Sequence, residues 1–93
     1  MMLKLQVTTR FKKDIKRMQK QGKPMHVLKS VIDDLLEEKP LDAKYRDHAL
    51  VGNYIGFREC HLMSDWLLVY SIDHRTLILT AYRTGTHSDL FDE

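Results

Sequence analysis

Trp66-Leu67-Leu68-Val69-Tyr70-Ser71-Ile72 is the stretch that decides the fold. Six of its seven residues are apolar, and β-branched and aromatic types prevail, which predicts a central strand covered on both faces. Asp73-His74-Arg75 then supplies a turn, and Leu77–Arg83 returns as an antiparallel partner. On the other side, Met63-Ser64 makes a turn, and Tyr54–Met63 before it reads as a strand of mixed aromatic and polar character. Further out, Leu3-Lys4-Leu5-Gln6-Val7 alternates as a half-buried strand does. Thr8 or Thr9 is placed to cap a helix running to about Gln21, with Phe11, Ile15 and Met18 on one face. Gly22 stops that helix, and Pro24 suits the first turn of a second, whose apolar face carries Leu28, Val31, Ile32, Leu35 and Leu36. Glu37-Glu38-Lys39-Pro40 ends the second helix, and residues 40–53 read as a loop. The order β-α-α-β-β-β predicts an α+β sandwich: a small antiparallel-rich sheet of about four strands, with an N-terminal helical hairpin packed on one face. The other face is left free for a site, and a short exposed tail follows from Gly85.

A chain of 93 residues, 43% hydrophobic and 30% charged, is expected to form a single folded domain over residues 1–93. The lone Cys60 precludes an intrachain disulfide and, in a strand-like run, suits a small core residue. No apolar leader or membrane-length stretch is present, so a cytoplasmic location without membrane contact is expected. Charge is unevenly placed. Residues 1–30 hold nine Lys/Arg against the single acid Asp14, whereas residues 31–93 hold six Lys/Arg against twelve acids. The cluster Lys12, Lys13, Lys16, Arg17, Lys20 and Lys23 suits a solvated helix face or a polyanion contact equally well.

Chemistry concentrates in the second half. His48, His61 and His87 each fall in a loop or near a strand end, where a rigid scaffold can present side chains. Asp65 follows His61 by four residues across a turn, a spacing that predicts the two side chains meeting at one end of the sheet, and Arg83 closes the last strand ahead of His87. His26 and His74, at a helix start and in a turn, read as ordinary surface histidines. The spacing of the other three histidines and Asp65 matches no compact metal motif, so no metal or other cofactor is expected. Ser64, Ser71 and Ser88 lack a nucleophile elbow, and Gly52, Gly56 and Gly85 form no phosphate loop. Metal-independent cleavage of RNA remains, since the substrate brings its own 2′-hydroxyl and needs only a base, an acid and a cation. Trp66 and Tyr82 are expected in the core, which leaves Phe91 as the aromatic for a substrate or a partner.

The run Tyr45-Arg46-Asp47-His48-Ala49-Leu50-Val51-Gly52-Asn53-Tyr54-Ile55-Gly56-Phe57-Arg58-Glu59-Cys60-His61 resembles the YafQ branch of the RelE/ParE toxin superfamily. So do Asp65-Trp66-Leu67-Leu68-Val69-Tyr70 and Arg83-Thr84-Gly85-Thr86-His87-Ser88-Asp89-Leu90-Phe91, and the similarity spans essentially the whole chain. The resemblance implies a RelE-like fold and a type II toxin. Its activity would be that of a ribosome-dependent mRNA endoribonuclease acting on codons in the A site and neutralised by a cognate antitoxin. The family's catalytic positions fall on His48, His61, Asp65, Arg83 and His87, and its terminal aromatic falls on Phe91. Within that expectation, Asp65 or a histidine deprotonates the 2′-hydroxyl, His48 and His61 being the main base candidates. Arg83 stabilises the phosphorane, His87 acts as general acid, and Lys13, Lys16 and Arg17 grip RNA of the 70S ribosome. DNA would be met only through the antitoxin. The alternative is a non-catalytic binder of the same fold that inhibits a protein target such as gyrase.

Overall fold

The computed structural model describes residues 2–91. Its elements are β1 (Lys4–Val7), α1 (Thr9–Lys20), α2 (Met25–Leu36), β2 (His48–Ala49), β3 (Arg58–Met63), β4 (Trp66–Asp73), β5 (Ile78–Gly85) and α3 (His87–Phe91). The sheet runs β1-β5-β4-β3-β2, with β1 parallel to β5 and the remaining pairs antiparallel. The expected α+β arrangement of a helical pair on a sheet is present, with five strands rather than about four. The added strand, β2, is two residues long and too short to leave a period in the sequence.

Thr8 opens α1: its Oγ1 accepts the Phe11 N–H at 2.9 Å and donates to the Tyr82 carbonyl at 2.7 Å, so one hydroxyl caps the helix and pins it to β5. Gly22 takes φ +75, the left-handed turn that lets α2 double back. Phe11 and Met18 of α1 and Leu28, Val31, Ile32 and Leu35 of α2 bury against Cys60, Leu62, Trp66, Leu68, Tyr70, Leu79 and Ala81 of the sheet. Burial pushes the Cys60 thiol up to about 12, so it is an inert core group. Trp66, 0% exposed, donates Nε1–H to Thr84 Oγ1 at 2.9 Å, and that hydroxyl donates to the Leu67 carbonyl at 2.7 Å.

The opposite face is not bare, as the sequence suggested. Leu67 and Val69 alternate onto it and pack with Leu90 of α3 and with Leu50, Phe57, Tyr82 and Phe91. The tail from Gly85 is therefore a docked helix rather than an exposed end. Two irregularities bend the sheet beside the candidate residues. On β3, the register against β4 slips between His61 and Met63; on β5, Tyr82 is the extra residue between the partners of Val69 and Tyr70.

Candidate active site

His48 lies on the edge strand directly opposite Glu59 of β3. The strand is introduced by Arg46, held at φ +47 after a tight turn that Asp42 caps. His48 Nδ1 lies 2.8 Å from the Arg46 carbonyl oxygen. A carbonyl only accepts, so Nδ1 carries the proton and Nε2 is left free, 3.6 Å from Glu59 Oε1. His61 shares this face, because its side chain alternates with the buried Cys60 and Leu62.

The imidazoles form a row. Ring centroids are separated by 6.1 Å for His48 and His61, 5.9 Å for His61 and His87, and 6.5 Å for His87 and Phe91. Tyr54 extends the row, edge-on to Phe91 at 5.4 Å. His87 is fixed twice by one carboxylate oxygen: Asp65 Oδ1 accepts its backbone N–H at 3.0 Å and its Nδ1–H at 2.8 Å. These two hydrogen bonds hold the Asp65 carboxyl below the usual aspartate range and leave His87 Nε2 directed away from its anchor. His61 is different. Its Nδ1 is buried without a hydrogen-bond partner among the described residues. Burial, then the Arg46 charge, lowers its pKa from 6.5; Glu59 opposes the shift, while His87 and His48 add to it. Burial and the Arg46 charge both favour the neutral form of the His61 imidazole. It borders an open cleft of about 290 Å³ that Lys44, Tyr45 and Arg46 also line.

Arg83 is held outside the row of rings. Its Nε and Nη2 reach Asp14 Oδ2 and Oδ1 at 2.7 and 3.1 Å, and its side chain is 12% exposed. Asp14 raises its pKa by this two-pronged hydrogen bond, while the oxygens of Tyr82 and Tyr54 lie within electrostatic reach. Of the cationic helix residues, Lys13 and Lys16 face solvent. Arg17 instead turns back to Asp14 at 3.4 Å and to Asp89 at 3.9 Å. Phe91 sits half-buried in α3.

Sequence reading passed over Glu59, Asp14 and Tyr54. Glu59 was findable by strand parity, being two residues before His61 on one face. Asp14 was findable as well: it is the lone acid of a cationic helix and falls on the apolar stripe of Phe11, Ile15 and Met18. Glu59 also completes the best donor set for a metal. His48, Glu59 and His61 offer ligand atoms within 4.8 Å of one another, two nitrogens and an oxygen of a kind that zinc or copper accepts.

Fold and site together define a small α+β protein with imidazoles and carboxylates gathered at one end of its sheet. A family model described as the bacterial toxin of type II toxin-antitoxin system, YafQ, matches residues 3–92. The mRNA interferase toxin YafQ of Escherichia coli K12 is 38% identical over 88 residues, covering 94% of each chain. Among solved structures, the E. coli DinJ–YafQ toxin–antitoxin complex contains a chain superposing with a TM-score of 0.89 at 36% identity, over 98% of this chain and 99% of that one. A metal-bound toxin from Helicobacter pylori superposes at 0.91 with 43% identity, over 97% and 100%. The chain belongs to the YafQ family of toxins of type II toxin–antitoxin systems.

Proposed function

We propose that the chain is a ribosome-dependent mRNA endoribonuclease that cleaves codons in the A site without a metal. The observation that carries this proposal is the row His48–His61–His87, with Asp65 orienting its last member. A pure binding module has no need of three imidazoles in three different hydrogen-bonding states. Neutral His61 is the base for the 2′-hydroxyl, with Nε2 of His48 beside it. The 2′-oxygen attacks phosphorus, the P–O5′ bond breaks, and Nε2 of protonated His87 gives its proton to the departing 5′-oxygen, leaving a 2′,3′-cyclic phosphate. Asp65, already engaged twice by His87, serves as its orienting group rather than as the base. Arg83, Lys44 and Arg46 supply positive charge for phosphates, and Tyr54 with Phe91 supplies an aromatic edge for a base. The exposed lysines of α1 grip ribosomal RNA. A DinJ-type antitoxin is the protein partner, any DNA contact runs through it, and the cytoplasm is where the substrate lies.

The metal-bound H. pylori relative and the His48–Glu59–His61 set favour one addition: a borderline metal held here withdraws the two base imidazoles and inhibits. The test programs ribosomes with a defined mRNA and maps its ends. Cleavage is expected with the unmodified protein and with excess chelator, to be lost with His87→Ala, and to fall with one equivalent of zinc. Intact mRNA with the unmodified protein overturns the nuclease proposal, and loss of cleavage on chelation overturns metal independence.

A further inference from the structure

Asp14 is the feature that the chemistry above leaves unused. It is a carboxylate with 0% exposure, carried by a helix whose other charged residues are all cationic. Four hydrogen bonds converge on it: two from Arg83, one from the Thr84 backbone N–H at 3.1 Å, and one from Arg17 at 3.4 Å. A lone buried carboxylate is costly, and Arg83, itself largely buried, supplies the charge that offsets it. Its effect is geometric. The guanidinium is planar, so fixing Nε and one Nη by a two-pronged contact fixes the direction of the remaining Nη1 edge. Tyr54, which touches Phe91, lies within electrostatic reach of Arg83, and the two-pronged contact sets which way the rest of the guanidinium faces. Arg17 continues the link. It bridges Asp14 to Asp89, and Asp89 exchanges two hydrogen bonds with Thr86, each of 3.1 Å, at the start of the helix that carries His87 and Phe91. Two guanidinium and two carboxylate groups thus form one linked cluster, in which both Asp14 oxygens fix Arg83.

We propose that Asp14 is a positioning residue of the nuclease: it acts through Arg83, setting the direction of that guanidinium toward substrate phosphate. This rests on the nuclease proposal. A residue that acts only through another loses its effect once the other is gone, so a double-mutant cycle is the direct test. Single-turnover cleavage on programmed ribosomes is measured for Asp14→Asn, Arg83→Ala and the double variant, together with affinity for ribosomes and thermal melting. Asp14→Asn is expected to slow cleavage about 100-fold, as misplacement of a catalytic group does, with ribosome affinity unchanged. The double variant is expected to be no slower than Arg83→Ala alone, and to melt higher than it, because Arg83→Ala strands the buried carboxylate.

Multiplying losses in the double variant, or an unchanged rate in Asp14→Asn, overturns the proposal. If Asp14→Asn does not fold, Arg83→Lys decides, since lysine keeps the charge and loses the two-pronged contact. A rate within threefold of the unmodified protein then overturns it. If the unmodified protein cuts no mRNA, the nuclease proposal falls separately. The Arg83 Nε–H resonance then still reports the pair: protection from solvent exchange is expected in the unmodified chain, and an unprotected signal counts against the contact.

Discussion

The two faces of one sheet differ in how their polar groups are treated. On the helix-covered face every second residue of β4 is large and apolar, and the indole of Trp66 finds a hydroxyl that itself finds a carbonyl. On the opposite face the apolar cluster is small, and beyond it stand a buried glutamate and three imidazoles, one with an orphaned buried nitrogen. A buried imidazole nitrogen without a partner among the described residues is costly, and it stands on this face rather than in the helix-covered core. The contrast is one between a surface that excludes water and a surface that carries half-exposed titratable groups.

The two faces are expected to respond differently to truncation. Trp66→Ala is expected to lower unfolding free energy by about 3–5 kcal/mol, measured by urea denaturation, because it opens a cavity and removes the donor to Thr84. His87→Ala is expected to do the converse: cleavage falls by about 10²–10⁴-fold while the denaturation midpoint barely moves. A stability loss in His87→Ala equal to that of Trp66→Ala would erase the distinction.

Gly85 lies at the seam between the faces, where β5 meets α3. An added Cβ would stand 3.0 Å from Asp89 Cβ and 3.1 Å from its Oδ2, so Gly85→Ala must push the start of α3. Overpacking of this kind costs about 1–3 kcal/mol, and here it moves His87 and Phe91 with the helix. A larger fractional loss of cleavage than Thr84→Ser produces is the expected outcome in a parallel assay.

The smallest effect is a pH dependence. The folded pKa of His61 lies below 6.5, so on acidification the unfolded chain takes up a proton that the folded chain resists. The contribution of neutral His61 to stability is therefore whole above pH 6.5 and declines as pH falls toward its folded pKa. Denaturation at pH 7.0 and 5.5 should show a smaller difference for His61→Phe than for the unmodified protein. For the same reason the acid limb of the cleavage profile is expected below pH 6.5.

Periodicity made α1, α2, β4 and β5 legible to within two residues at each end, because each buries a face whose spacing is written in the chain. β3 was legible only from Arg58, since residues 52–57 spend their aromatic side chains on turns rather than on a strand. The histidines, Asp65, Arg83 and Phe91 could be named from residue type and resemblance, but the one pairing expected among them, His61 with Asp65, gives way to Asp65 with His87, because α3 docks back on the sheet beside the β3–β4 turn. A two-residue strand sets His48 against Glu59, and a bulge sits beside His61. Neither leaves a period to read.

The sandwich, the polarity of its helices and the identity of its titratable groups were already written in the chain. Those properties follow from local spacing and side-chain chemistry. It took the folded molecule to bring Asp65 to His87, Glu59 to His48 and His61, and Arg83 to Asp14 from 69 residues away. Those are contacts between distant segments, and their geometry exists only once the core has brought the strands and α1 together.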